Sequence, residues 1–318
     1  MKSILITGAS GFVGGYLCEY LLQKGEAEIY GTYSSEGSLD RSPVKDNIHF
    51  IKADFTDKQA VRVAIAQSHP DYVYHLAAQS NVPQSFEDPI KTLHANIDSQ
   101  IYLLDVLREQ SFVSTRVLIV GSAETYGRLD PQDIPIKETT PFRPVNPYAV
   151  SKITQDYIAL QYYLSYQLPL IRVRPFNHIG PRQKTGFVTS DFARQIAHIE
   201  KGKQKPIIHI GNLEARRDFT DVRDMVRAYV LLLERGKEGE VYNIGSGVSH
   251  SIQEVLDILL SLSSVAIHPE VDATKLRPSD VPEIRADTSK MHNLTGWKPE
   301  ISLEESLKAI LDYWRKEV

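Results

Sequence analysis

The stretch that most constrains the fold lies at the amino terminus. Residues 2–7 (KSILIT) hold the short apolar run Ile4-Leu5-Ile6, and Gly8-Ala9-Ser10-Gly11-Phe12-Val13-Gly14 follows at once. An apolar-periodic segment then continues to about Lys24, where Gly25 stops it. A short, uninterrupted apolar run reads as a strand buried on both faces, which needs a sheet with helices on both sides. A glycine turn between such a strand and a helix is an arrangement that suits a dinucleotide. Gly8 permits the tight turn, Gly11 lets the backbone approach a pyrophosphate, and Gly14 lets the helix pack closely on the strand. The phosphates would sit at the helix start, beside Phe12 and Val13, where free N–H groups and the helix dipole favour anions.

The chain continues the alternation. Strands are expected at Glu28–Tyr33, His49–Lys52, Asp71–Leu76, Arg116–Val120 and Leu170–Arg174. The fold class that follows is α/β, a doubly wound, mostly parallel Rossmann sheet. Such sheets bind ligands at the C-terminal ends of their strands, so residues there are the site candidates. Tyr33 and Ser34 close the second strand, and no carboxylate stands there before Glu36 to hold a ribose 2′-hydroxyl. The hydroxyls, with Arg41 in reach, suit a 2′-phosphate, so NADPH is favoured over NADH. Asp54 and Phe55 follow the third strand; the Asp54 carboxylate is placed either to accept from an adenine amino group or to cap the next helix. Leu76, Ala77 and Ala78 end the fourth strand with small residues that leave room for a ligand, and Ser80 lies just beyond. Asn96 sits on a helix with the periodic stripe Leu93, Ile97, Ile101, Leu104 and Leu107.

The fifth strand ends in Gly121-Ser122-Ala123-Glu124-Thr125-Tyr126-Gly127. A proline-rich stretch then leads to Asn146-Pro147-Tyr148-Ala149-Val150-Ser151-Lys152. Asn146 suits an N-cap and Pro147 the first helical position. Tyr148 and Lys152, four apart, share a helix face. An ammonium beside a phenol lowers the energy of the tyrosinate, whose unperturbed pKa is about 10. The pair is a proton-transfer device for an alcohol or ketone. Beyond Pro175 the alternation loosens. Helices are expected at Val188–Lys201, at Asp218–Glu234 (capped near Asp218 or Thr220), at Ile252–Leu262 and at Leu303–Lys316, with strands at Ile207–Ile210 and Val241–Ile244.

Charge and composition exclude other classes. Of the 318 residues 24% are charged, the net charge is −4, and no Lys/Arg run argues for a nucleic-acid partner. Cys18 stands alone and forms no intrachain disulfide, which fits a reducing compartment. No apolar run approaches a signal-peptide core or a membrane span. A cytoplasmic protein without a membrane partner is expected. No HExxH or close HxH pattern indicates a metal.

In order along the chain, Gly8-x2-Gly11-x2-Gly14, His75-Leu76-Ala77-Ala78, Gly121-Ser122-Ala123-Glu124-Thr125-Tyr126-Gly127 and Tyr148-x3-Lys152 resemble the extended short-chain dehydrogenase/reductase family, over essentially the whole chain. Pro175-Phe176-Asn177-His178-Ile179-Gly180-Pro181, Gly186-Phe187-Val188-Thr189, residues 211–219 and Leu276-Arg277-Pro278-Ser279-Asp280-Val281-Pro282 look like its GDP-mannose-processing branch. The resemblance implies that Ser122 and Tyr148 bind the reacting sugar oxygen, that Tyr148 transfers the proton, and that Lys152 holds the nicotinamide ribose and tunes Tyr148. Pro175 and Asn96 join the cofactor set. It further implies an NAD(P)H-dependent reduction of the 4-keto group of a GDP-4-keto-6-deoxymannose, with a GDP-mannose 4,6-dehydratase, Glu124 its acid/base, or another nucleotide-sugar epimerase or reductase as the alternatives. Dehydratases of the branch use a Glu where Glu124 stands, but they usually have Thr where Ser122 is. Arg217 and Arg277 are the expected pyrophosphate forks, ahead of Arg216, Arg182 and Arg174. Asp191 or Glu214 would accept from guanine, Val188 would pack by the base, Asn177 would contact phosphate or sugar, and Asp280 would hold a ribose hydroxyl. The expected division is 1–174 with 213–247 for the dinucleotide, and 175–212 with 248–318 for the nucleotide sugar. Family members often pair the helices at Leu93–Leu107 and Tyr148–Leu164 into a four-helix interface, so a homodimer is expected.

Overall fold

The computed structural model describes residues 1–275 and 281–318. Arg277 and Asp280 therefore lie outside the described residues. The strands are β1 (Lys2–Thr7), β2 (Ala27–Tyr33), β3 (His49–Lys52), β4 (Tyr72–His75), β5 (Arg116–Val120), β6 (Leu170–Pro175), β7 (Asn177–Ile179), β8 (Ile207–Ile210), β9 (Arg216–Asp221), β10 (Val241–Ile244), β11 (Ser249–Ser251), β12 (His268–Val271) and β13 (Glu283–Ile284). The helices are α1 (Phe12–Lys24), α2 (Glu36–Leu39), α3 (Lys58–Ser68), α4 (Val82–Glu87), α5 (Pro89–Glu109), α6 (Pro147–Tyr166), α7 (Val188–Glu200), α8 (Val222–Arg235), α9 (Ile252–Ser261), α10 (Ser289–Thr295) and α11 (Leu303–Glu317). Seven strands form one sheet in the order β10-β6-β5-β4-β1-β2-β3. Every pairing in it is parallel. This is the doubly wound Rossmann sheet that the apolar runs imply. The chain order reverses between β1 and β4, and that switch point is where such a sheet opens a crevice.

The sheet separates two cores. Leu17, Leu21, Val226, Tyr229 and Leu233 pack with Tyr74, Leu118 and Val173 on one face. Leu103, Leu107, Ala159 and Tyr162 pack with Leu5, Val73 and Ile119 on the other. Successive strand residues alternate between the faces, so both faces must be apolar; this is why Ile4-Leu5-Ile6 of β1 and residues 117–120 of β5 read as continuous hydrophobic runs. A third core unites Phe192, Ile196, Ile208, Leu256, Leu259 and Ile310 beyond the sheet. No helix among the described residues is long and apolar enough to cross a membrane.

One expected element differs. The helix expected from Asp218 begins at Val222, because Arg216–Asp221 is strand β9, paired with β7, β11 and β13. The cap is Asp221, whose carboxylate accepts from Arg223 N. Asp218 is fully buried and accepts from Ser246 N, Gly247 N and Ala286 N at 2.7, 3.0 and 3.0 Å. Burial raises its pKa against those hydrogen bonds. Its carboxylate thus ties β9 to the loops after β10 and β13. Strand β9 pairs in the smaller sheet, while α8 packs on β5 and β6 of the larger.

Candidate active site

A cleft of about 1290 Å³ runs along the C-terminal ends of the parallel strands. Its first wall is the glycine turn. Gly8 has φ +70°, and a Cβ on Gly14 would stand 2.3 Å from the Gly8 carbonyl oxygen and 2.7 Å from Ala9 Cα. The turn thus closes only with glycines, and α1 starts directly on the cleft. Gly11, its N-cap, supplies no side-chain oxygen, so no side-chain cap competes for the first N–H groups of α1. Thr7 holds the neighbouring strand end: its Oγ1 accepts from Leu76 N and Ala77 N, both at 3.0 Å, and meets His75 Nδ1 at 3.0 Å. Burial pulls the His75 imidazole down to about 3, so it stays neutral. These features fit a dinucleotide, and Gly8, Gly11, Phe12, Val13, Gly14, Leu76, Ala77, Ala78 and Pro175 all line the cleft. Tyr33, Ser34, Arg41, Asp54 and Phe55 line the other end of the same cleft. Asp54 also fills the alternative role, accepting from Thr56 N and Oγ1 at 2.9 and 2.8 Å.

Ser122, Glu124, Tyr148 and Lys152 converge on the cleft. Ser122 caps a 3-10 turn after β5, its Oγ accepting from Glu124 N at 3.1 Å. Asn146 caps α6, its Oδ1 accepting from Ala149 N at 2.7 Å, and so sets where Tyr148 and Lys152 emerge. Tyr148 is buried; desolvation raises its pKa well above 10, the Ser122 hydroxyl bonded to it opposes that rise, and the Glu124 charge adds to it. Its phenol is therefore a protonated acid at working pH. Lys152 is only 4% exposed, and burial pulls its ammonium down to about 7. The Nζ donates to Val120 O at 2.9 Å and stands 5.9 Å from the Tyr148 ring centroid. A lysine so little hydrated gains from any negative group placed beside it, whether a tyrosinate or a hydroxyl-rich ligand.

The remaining candidates divide. Ser80 and Asn177 line the cleft. Asn96 does not: it is fully buried, accepts from Gln79 N and donates to Gln79 O and Ser151 Oγ at 2.7, 3.0 and 2.9 Å. Its amide is used up in binding the loop after β4 to the turn of α6 that carries Lys152. Val188 faces the third core, and its neighbour Phe187, 39% exposed, takes the place on the cleft wall. Asp191 is off the cleft and accepts from Gly186 N at 2.9 Å. Arg217 is also off it, donating to the carbonyls of Arg216 and Val281 at 2.9 and 2.8 Å. Glu214 sits exposed on a turn and Arg216 pairs with Glu254. Arg174 is buried with Arg172 on Asp156, an internal ion cluster rather than a phosphate fork. Arg182 lines the cleft, bound by two nitrogens to Glu19 and 3.9 Å from the Tyr16 ring centroid. Asn146 Nδ2 reaches Glu124 Oε2 at 3.2 Å, a contact between residues 22 apart that no local spacing signals. His178, stacked on Phe12 with centroids 6.3 Å apart, is a further cleft residue, to which the sequence motif that contains it gives no role.

Fold and site together define an NAD(P)-dependent oxidoreductase of the extended short-chain dehydrogenase/reductase kind. The family described as GDP-mannose 4,6 dehydratase matches residues 5–310, and the chain belongs to it. It is 35% identical over 317 residues to a GDP-6-deoxy-D-mannose reductase of Pseudomonas aeruginosa, covering 100% of this chain and 98% of that one. It is 32% identical over 329 residues to GDP-mannose 4,6 dehydratase 1 of Arabidopsis thaliana, covering 98% and 89%. The structure of RMD from Pseudomonas aeruginosa complexed with NADPH superposes with a TM-score of 0.88 at 34% identity, and each chain is covered completely.

Proposed function

We propose that the protein reduces the 4-keto group of GDP-4-keto-6-deoxy-D-mannose to GDP-D-rhamnose, using NADPH or NADH. The observation that carries this reading is the convergence of Ser122, Tyr148 and Lys152 beside the glycine turn, in one continuous cleft. The full-length likeness to the Pseudomonas aeruginosa reductase supports the substrate. A reduced nicotinamide dinucleotide, when bound, supplies the hydride. The chain's own residues do the rest. Ser122 offers its hydroxyl to the sugar carbonyl oxygen, where negative charge grows. Tyr148, held protonated by burial, delivers its proton to that oxygen. Lys152 lies close enough to stabilise the tyrosinate left behind.

Arg41 has no ion pair or hydrogen bond among the described residues and lines the cleft near Ser34, which supports NADPH over NADH. Glu124, also in the cleft, favours the dehydratase as second reading. The test is absorbance at 340 nm with the keto sugar and, separately, GDP-mannose. Loss of NADPH with the keto sugar alone supports reduction; a keto product from GDP-mannose, abolished in Glu124→Gln, supports dehydration. A homodimer is part of the same proposal. Val150, Tyr157 and Leu164 recur every seven residues along α6 and are 42%, 56% and 64% exposed, with Phe86 and Ile90 exposed by the start of α5. An apolar stripe of this spacing matches a helical seam. The cytoplasm is the proposed location.

A further inference from the structure

Asn146 makes two hydrogen bonds with its one side chain. Oδ1 accepts from Ala149 N at 2.7 Å and starts α6, while Nδ2 donates to Glu124 Oε2 at 3.2 Å. The residue is 8% exposed, so water replaces neither contact readily. Glu124 Oε1 has no partner among the described residues, and its residue lines the cleft beside Ser122 and Tyr148. One carboxylate oxygen is anchored and the other is open toward a ligand. The backbone N–H of Glu124 is also fixed, by Ser122 Oγ at 3.1 Å.

We propose that Asn146 is a positioning residue that clamps Glu124 to the start of the catalytic helix, so that the free oxygen of Glu124 accepts from a hexose hydroxyl next to the reacting carbonyl. The acceptor and the acid at Tyr148 are then registered by the same side chain. A sugar held at both positions has one orientation over Tyr148, and a loose carboxylate would forfeit that. The assignment rests on the nucleotide-sugar reading above.

Asn146→Ser separates the two contacts. Serine caps a helix as well as asparagine, but it lacks the amide that reaches Glu124. Asn146→Ser, Glu124→Ala and the double variant form a cycle. The expected result is a loss of about tenfold in kcat/KM for the keto sugar in Asn146→Ser, in line with a hydrogen bond to a charged group. The Kd for NADPH stays as in wild type. In the Glu124→Ala background Asn146→Ser then costs nothing further. Equal losses in both backgrounds, or no loss in either, overturn the proposal. Wild-type turnover tests the functional reading separately. Should wild type not turn over the keto sugar, the clamp is read from the same cycle by urea unfolding of the ligand-free protein. There the clamp predicts a non-additivity of about fivefold in the unfolding constant, and additivity rejects it.

Discussion

Lys152 predicts how stability depends on pH. Its ammonium is pulled from 10.5 down to about 7 by burial, and among the described residues its one hydrogen bond goes to Val120 O at 2.9 Å. Between those values the unfolded chain holds a proton that the folded chain binds poorly. The unfolded state binds more protons there, so stability rises as pH rises from about 7 toward 10.5. The penalty at pH 7 is about 4 kcal/mol and at pH 9 about 2 kcal/mol, from about 1.4 kcal/mol per pKa unit. Lys152→Met keeps the stem and removes the charge. In urea denaturation of the ligand-free protein, Lys152→Met is expected to be more stable than wild type at pH 7, and its advantage to shrink by about 2 kcal/mol by pH 9. The variant is expected to lose turnover. Parallel stability curves for the two proteins between pH 7 and 9 would refute the claim that Lys152 is held in a poorly hydrated site.

Other outcomes follow from the same geometry. Tyr148→Phe removes the acid and is expected to lower kcat by about a hundredfold or more while NADPH still binds, read by steady-state kinetics and cofactor fluorescence. Gly14→Ala places a Cβ 2.3 Å from the Gly8 carbonyl oxygen, so it is expected to cost about 1–3 kcal/mol of stability and most cofactor binding. Arg41→Ala is expected to weaken NADPH about tenfold and to leave NADH unchanged in equilibrium titrations. Leu164→Glu, on the exposed stripe of α6, is expected to shift the protein toward monomer in sedimentation, with no loss of melting temperature for the fold itself.

The parallel sheet was legible because β1, β4 and β5 carry short apolar runs whose ends lead into small residues, and because helical segments alternate with the strands. The glycine turn and the Tyr148–Lys152 spacing were legible because local geometry alone relates their residues. Contacts set by long-range packing were not. Strand β13 has two residues and pairs with β9 far upstream, so its pattern carries no period. Asp218 looked like a helix cap because a carboxylate before an apolar stripe usually is one; here three backbone N–H groups from distant loops claim it. Asn96 lies on the stripe side of its helix, and nothing local shows that Gln79 and Ser151 consume its amide. Arg174 looked like a phosphate ligand because charge is visible in a sequence and its buried partner Asp156 is not.

The proposed function is a hydride–proton reduction of a GDP-linked keto sugar in the Ser122–Tyr148–Lys152 cleft. Its most direct test is to incubate the purified protein with GDP-4-keto-6-deoxy-D-mannose and NADPH and to follow sugar and cofactor together by NMR. The expected result is GDP-D-rhamnose formed in step with NADP⁺, with GDP-mannose left untouched. Conversion of GDP-mannose to the keto sugar with no net change in cofactor, and no reduction of the keto sugar, would contradict it.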